Sequence, residues 1–509
     1  MANGRYWLQT LGCPKNQVDS EKLAGLLAAD GYRPADEPGD ADLVVVNTCA
    51  FVEAARQESV DTVLLLDEHR RDGSRLVVTG CMAERYGDEL AAALPEVDLV
   101  AGFGAALVPG GVAGGPPLSQ PEPASASASA PVPVSLGSAR RHRPVGAPSS
   151  TATAFDLLEL PRPPATAPWA YVKVAEGCDR SCGFCAIPSF RGKQRSRRPA
   201  DVLDEVRALA AGAAGADGAD GADGAKEIVL VAQDLASYAR DRTHRAGGEG
   251  ETAMSARGSR RRGEPTPIVA LTRAVAELVP RTRLLYLYPS SLTDDLVDAI
   301  LGTGVPYFDL SLQHVSRPLL ARMRRWGDGD RFLRRIARIR AAEPTATFRS
   351  SFILGYPGET EEDHDALLAF LRDATLDWAG FFLFSAEDGT RAADLPDQVS
   401  PALALERLRE CTELQDAVTA RRRDLLIGQT REVLVDAAGI GRTVHEAPEI
   451  DGVVRVPETL PVGSLVDMVV TASLGTDLVA EPVRSDIGRI DAGWADVGQA
   501  DVGRVDGAG

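Results

Sequence analysis

Short apolar runs separated by stretches of helix length recur along most of this chain, and that alternation restricts the folds open to it. Leu43-Val-Val-Val-Asn47 and Leu76-Val-Val-Thr79 have the continuous apolar character of strands buried on both faces of a parallel sheet. Residues 5–10 supply a first strand, and residues 18–30 and 54–70 read as the intervening helices. These elements predict an open α/β unit at the N-terminal end. A second series begins at Tyr171, with strands expected at 171–175, 227–233, 283–288, 307–312, 348–354 and 378–385. Helices are expected at 200–211, 267–278, 292–301, 328–342 and 361–373. Six β/α repeats predict a partial or complete parallel barrel.

The places where the alternation lapses divide the chain. Residues 105–165 carry Pro116-Pro117, Pro121, Pro123 and an Ala/Ser alternation, and read as a disordered linker. The Gly-Ala-Asp repeats of 211–225 and the Gly/Arg/Glu-rich 241–264 read as disordered insertions. Residues 401–426 predict a connecting helix. Residues 427–484 switch to short runs between Gly turns, which predicts a small antiparallel β-barrel. The expected division is therefore 1–104, a linker over 105–165, a barrel over 166–400, the helix, the small barrel, and a disordered tail over 485–509.

Seven cysteines and a formal net charge of −18 limit the function classes. No apolar run approaches the roughly 18 residues of a membrane span, so no membrane partner is expected. The first residues lead directly into a strand-like segment without the pattern of a secretory signal, which predicts a cytoplasmic location. Cysteines in that compartment are ligands, catalysts or core residues before they are disulfides. The negative balance argues against a general polyanion binder and suits a basic protein partner.

Six of the seven cysteines form two sets. Cys178, Cys182 and Cys185 make a C-x3-C-x2-C loop directly after the first barrel strand, in Gly177-Cys-Asp-Arg-Ser-Cys-Gly-Phe-Cys185. One loop with three thiolates can wrap a single iron–sulfur cluster, leaving one of four irons without a protein ligand. A zinc site with a distant fourth ligand is the alternative. Cys13, Cys49 and Cys81 each stand just past a predicted parallel strand, at the sheet edge where α/β ligands bind. Gly12 and Gly80 beside them permit close backbone approach. Three thiols so placed suggest a second three-thiolate cluster; a cysteine in such a position can also be a small buried hydrophobe. Cys411 lacks such a context and reads as a helix-core or surface thiol.

The C-x3-C-x2-C loop resembles that of the radical S-adenosylmethionine superfamily. Both cysteine sets together resemble the methylthiotransferases of that superfamily, over nearly the whole chain outside the insertions. The motifs that carry this are Leu11-Gly-Cys-Pro-Lys-Asn16, Asn47-Thr-Cys-Ala-Phe51, Val78-Thr-Gly-Cys-Met82, Arg191-Gly-Lys-Gln-Arg-Ser-Arg197 and Leu312-Gln-His314. The resemblance implies a radical S-adenosylmethionine partial (β/α) barrel between an N-terminal cluster domain and a TRAM-like C-terminal barrel. It implies two 4Fe–4S clusters, on Cys13, Cys49 and Cys81 and on Cys178, Cys182 and Cys185, with S-adenosylmethionine chelated at the open iron of the second set. Phe184 matches a position near the adenine. Gly355, in Phe352-Ile-Leu-Gly-Tyr-Pro-Gly-Glu359, matches a strand-end motif that packs against the cofactor; the same segment reads without the resemblance as an ordinary strand–turn–helix. Reductive cleavage of S-adenosylmethionine by an electron from an unidentified donor would yield a 5′-deoxyadenosyl radical that removes hydrogen from an unactivated carbon. A methylthio group from the N-terminal cluster would then join the substrate radical.

Within that family Pro14-Lys15-Asn16 after Cys13 resembles the RimO type, which modifies an aspartate β-carbon of small-subunit ribosomal protein S-twelve. The MiaB type, which modifies an adenosine of tRNA, usually has Gln-Met-Asn there. Residues 427–484 hold nine acids against four bases, a difference of −5, which suits a basic protein and does not require nucleic-acid contact. The five bases between Arg191 and Arg198 can serve phosphate or carboxylate equally. A non-enzymatic iron–sulfur module that binds the ribosome is the reading from another class, and the two complete cysteine sets speak against it.

Overall fold

The computed structural model describes residues 4–108, 155–212, 224–245 and 265–483. The chain divides into two compact units, Met1–Thr419 and Ala420–Gly509.

The first unit opens with β1 (Gly4–Thr10), α1 (Pro14–Ala29), β2 (Tyr32–Pro34), β3 (Leu43–Thr48), α2 (Glu53–His69), β4 (Arg75–Gly80), α3 (Cys81–Ala93) and β5 (Leu99–Val100). The strands form one sheet in the order β2-β1-β3-β4-β5, parallel at every pairing. All six residues of β3 are buried, which is why that run has no polar alternation. Val44, Val46, Leu76 and Val78 face one helical layer, and Val45 and Val77 pack on the other side with Leu23 and Leu27 of α1.

The second series runs β6 (Trp169–Lys173), β7 (Ala175–Glu176), α4 (Ile187–Phe190), β8 (Arg195–Ser196), α5 (Pro199–Ala211), β9 (Glu227–Val231), α6 (Arg240–Arg245), α7 (Pro267–Ala276) and β10 (Arg281–Leu284). It continues with α8 (Asp294–Leu301), β11 (Tyr307–Gln313), α9 (Arg317–Arg322), α10 (Gly329–Ala342), β12 (Thr347–Leu354), α11 (Glu361–Ala374), β13 (Trp378–Leu383) and α12 (Pro401–Asp424). Strand β9 pairs with both β6 and β10, and β12 with both β11 and β13, all in parallel. A parallel bridge from Leu287 to Leu310 joins the two sets, giving six strands of a partial barrel. The strand expected over 283–288 is therefore shorter: β10 ends at Leu284, because Tyr286 takes a left-handed conformation with φ 64°. Cys411 is fully buried in the barrel's core.

The expected linker over 105–165 needs correction at both ends. Ala105, Leu107, Val108 and Leu157 are buried in the N-terminal core, and the Leu158 carbonyl accepts from buried Lys22 Nζ at 2.7 Å. Residues 109–154 lie outside the described residues, as do most of the two insertions and the tail. Arg240–Arg245, partly within the expected insertion 241–264, is helical.

The second unit contains a closed barrel of β14 (Thr430–Ala437), β15 (Ile440–Arg442), β16 (Val454–Arg455), β17 (Leu465–Leu474) and β18 (Asp477–Pro482), in the order β14-β15-β16-β18-β17. Four pairings are antiparallel and β16–β18 is parallel. Five strands cannot alternate direction all the way round a closed ring, so one parallel pair is obligatory. Val433, Val435, Val454, Met468, Val470 and Leu478 fill its interior. The acidic count overstates the charge this barrel offers to a partner. Glu446 is fully buried in an ion pair with Arg423 and accepts from Thr443, and Asp436 pairs with Arg442 at 2.6 Å. Burial alone would raise the Glu446 carboxyl, but Arg423, His445 and Thr443 hold it down to about 2.

Among the described residues no helix is long and apolar enough to cross a membrane.

Candidate metal centres

Each cysteine of the N-terminal set sits where a parallel strand ends and a helix or turn begins. Cys13 is the N-cap of α1, Cys49 follows β3, and Cys81 is the first residue of α3. Because β1, β3 and β4 are neighbours in a parallel sheet, their C-terminal ends deliver the three thiols to one edge. The approach there is tight. A Cβ on Gly12, at φ +96°, would stand 2.9 Å from Cys49 Cβ and 3.0 Å from its Sγ. On Gly80, at φ +93°, it would come within 2.3 Å of Asn47 Oδ1.

Asn16 ties these turns together. Its Nδ2 donates to the Leu11 and Thr48 carbonyls at 2.8 and 3.1 Å, and its own carbonyl accepts from Asn47 Nδ2 at 2.9 Å. Arg191, from the segment between α4 and β8, reaches the same edge. Its Nε and Nη2 donate to Cys81 Sγ at 3.3 and 3.0 Å, Nη2 also to Asn16 Oδ1 at 2.6 Å, and Nη1 to Glu176 at 2.8 Å. Glu176 and Asp19 both pair with the fully buried Lys173 of β6. This charged network fastens α1 to the barrel.

The thiols experience opposed effects. Burial raises Cys49 to about 12 and also raises Cys81. Burial would raise Cys13 too, but Lys15, Arg191 and the amides of Asn16 and Lys15 outweigh it and leave that thiol below its ordinary value. Burial lowers Lys15, against the attraction of Cys13. Its ammonium lies 3.3 Å from the centre of the Tyr286 ring.

The second set lies on the loop after β7. The Cys178 amide donates to the Gly192 carbonyl at 3.1 Å, and the Gly183 amide to the Met323 carbonyl at 2.9 Å. Arg180 and Arg325 border it, the Arg180 guanidinium paired with Asp234 at 2.6 Å. The Arg180 amide donates to Cys178 Sγ and Arg325 Nη1 to Cys182 Sγ, each at 3.4 Å. Both guanidiniums lie 3.9 Å from the Tyr288 ring centre. Burial raises Cys178 to about 11 and Cys185 to about 12. The segment after β10 thus meets residues flanking both sets, with Tyr286 against Lys15 and Tyr288 against Arg180 of the loop and Arg325.

Phe184 is half-buried against the barrel core. Gly355 donates its amide to Glu359, and a Cβ there would stand 2.7 Å from Ala404 Cβ of α12. Tyr356 of the same turn donates to the Arg322 carbonyl at 3.3 Å and lies against Gly183, so the turn supports the cysteine loop. The basic run from Arg191 to Arg198 is engaged within the chain: Arg195 pairs with Asp156, Arg197 with Glu205 and Arg198 with Asp201. Among the described residues, no three His, Cys, Asp or Glu groups are arranged to hold a single metal ion.

Three family models match the chain: Uncharacterized protein family UPF0004 over residues 5–102, the Radical SAM superfamily over 172–371 and the TRAM domain over 427–483. The ribosomal protein uS12 methylthiotransferase RimO of Streptomyces griseus subsp. griseus is 39% identical, with 93% of this chain and 97% of the relative covered. That of Streptomyces coelicolor is 40% identical, with 94% and 96% covered. The chain belongs to the RimO family of radical S-adenosylmethionine methylthiotransferases. The superfamily to which RimO proteins belong works with a 4Fe–4S cluster and S-adenosylmethionine, and this chain is such an enzyme. Sequence reading singled out the six cysteines and the basic motif. It gave no individual role to Lys15, Tyr286, Tyr288 or Arg325. The only signal for the tyrosines was their position at the end of a predicted strand.

Proposed function

We propose that this chain adds a methylthio group to the β-carbon of an aspartate in ribosomal protein uS12, using two 4Fe–4S clusters held by Cys13, Cys49 and Cys81 and by Cys178, Cys182 and Cys185. The observation that carries the reading is the delivery of three thiols by adjacent parallel strands to one edge, in the same unit as the three-thiol loop. The names of the RimO relatives supply the substrate. The donor set fits. Around one zinc at about 2.3 Å, tetrahedral thiolates would stand roughly 3.8 Å apart, whereas in a cluster each binds a different iron.

When bound, the clusters and S-adenosylmethionine supply a carbon radical and a methylated sulfur. The chain's own residues do the rest. Arg191 and Asn16 orient Cys81, and Gly12 keeps the Cys13 turn close to Cys49. Arg325 offsets negative charge at Cys182 and the Arg180 amide donates to Cys178 Sγ, while the Arg180 guanidinium is neutralised by Asp234. Lys173, Asp19 and Glu176 hold the two thiol sets in register. In this reading Phe184 and Gly355 border S-adenosylmethionine, an external one-electron donor is required, and the enzyme works in the cytoplasm, where its ribosomal substrate is made.

The test is mass spectrometry of uS12 and of tRNA from cells with and without the chain. Methylthio-aspartate in uS12 that depends on the chain supports the reading. Chain-dependent methylthio-adenosine with unmodified uS12 would overturn it in favour of a tRNA enzyme.

A further inference from the structure

Lys15 is placed at considerable cost. It lies in the first turn of α1, where the positive end of the helix dipole opposes a cation, and it is only 8% exposed. Arg191 adds like charge. The two other buried cations of this network have carboxylate partners, Lys173 in Asp19 and Glu176 and Arg191 in Glu176 and Asp19. Lys15 differs. Among the described residues no carboxylate lies within ion-pair distance of its ammonium, which rests 3.3 Å from the Tyr286 ring centre. Asp309 and Glu176 attract Lys15 from beyond ion-pair distance, and both are engaged elsewhere: Asp309 accepts from the Tyr286 amide at 2.8 Å and from Arg349 at 3.0 Å, and Glu176 from Lys173 and Arg191. An ammonium has three donors, and a ring face answers none of them as a carboxylate would.

The position adds direction. Lys15 is two residues from Cys13, and Tyr286 is two residues from Tyr288, which lies against Arg180 of the cysteine loop and Arg325. A group held by Lys15 would therefore sit next to the N-terminal thiols and on the side of the barrel segment that leads to the other set. We propose that Lys15 binds the side-chain carboxylate of the acceptor aspartate in the substrate protein. The inference rests on the reading of this chain as a uS12 aspartate methylthiotransferase. In an aspartate the carboxyl carbon is bonded to the β-carbon, so a fixed carboxylate places the β-hydrogens within a bond or two of a known point. Lys15 is then the specificity-determining residue that separates aspartate from asparagine, because an amide offers a neutral acceptor where the site has a buried cation.

The experiment uses the full-length enzyme, reconstituted anaerobically with iron and sulfide, and purified uS12 in two forms: natural, and with the acceptor aspartate, located by mass spectrometry of the parent product, changed to asparagine. Binding is measured calorimetrically without reductant for the parent, Lys15→Met and Lys15→Arg. The parent should bind the aspartate form roughly ten- to hundredfold more tightly than the asparagine form, the span of a charge-assisted hydrogen bond. Lys15→Met should bind both alike, and Lys15→Arg should restore part of the preference. Full discrimination by Lys15→Met overturns the proposal. So does loss of about half the iron from Lys15→Met with a preference that persists, which would make Lys15 a support for Cys13. If the parent neither binds nor modifies uS12, the functional reading falls first and takes this inference with it.

Discussion

Replacing Glu387 with Gln tests whether the N-terminal sheet is held on the barrel by charge. Glu387 follows β13 and is almost wholly buried. Its Oε2 accepts from Arg56 of α2 and Arg85 of α3, each at 2.6 Å, with both arginine side chains 8% exposed. Gln keeps the shape but removes the charge, leaving two buried guanidiniums facing an amide. Breaking a buried pair by removing one partner costs about 3–5 kcal/mol. Arg56 retains Glu53 and Arg85 retains the Ala50 carbonyl at 3.2 Å, so the lower end, about 3 kcal/mol, applies. Native-state hydrogen exchange reads this directly. Amides of α2 and α3 should exchange roughly a hundredfold faster in Glu387→Gln, while those of α10 and α11, which do not touch this pair, should be unmoved. Combining Glu387→Gln with Arg85→Met should cost less than the sum of the two alone, since the second change removes a charge the first has orphaned. Exchange in α2 and α3 within about 0.5 kcal/mol of the parent, or full additivity in the cycle, would refute the reasoning.

Other consequences can be checked alongside. Reconstituted protein should hold about eight irons, and changing Cys178, Cys182 and Cys185 together to Ala should remove about half, as counted by iron analysis. Changing Cys13, Cys49 and Cys81 to Ala should abolish methylthio transfer while 5′-deoxyadenosine is still formed, as followed by liquid chromatography. In the second unit Glu446 is held at about 2, below the roughly 4.3 of an unfolded glutamate. Its contribution is therefore complete above that unfolded value and is lost as pH falls from about 4.3 toward 2. Protection factors of amides over 430–482, which normalise for the pH dependence of intrinsic exchange, should fall through that window in the parent and change less with pH in Glu446→Gln. Reversing the exposed Glu458, Asp467 and Glu481 to Lys should slow association with uS12 and flatten its salt dependence, as measured by stopped-flow at two ionic strengths.

Much of this protein was legible in the residues because the signals are local. An apolar run such as Leu43-Val-Val-Val-Asn47 announces a strand buried on both faces, and six β/α repeats leave few topologies. A cysteine directly after such a run must lie at the sheet's C-terminal edge, whichever strands turn out to be neighbours, so both thiol sets were visible before any contact was known. What lay beyond the sequence concerns pairs of distant residues. Arg191 meets Cys81 across 110 residues, and Arg56 meets Glu387 across 331. Nothing near Arg191 distinguishes a guanidinium bound to a thiol from one that binds phosphate. Glu446 counts as surface charge in any composition sum, and only packing shows it buried on Arg423. Leu157 and Leu158 were lost within a Pro-rich stretch whose ends fold back onto the core. That no carboxylate among the described residues comes within ion-pair distance of Lys15 is a property of everything around it. Backbone pattern follows from neighbours along the chain, whereas the state of a buried charge depends on which other charges the fold brings within a few ångströms of it.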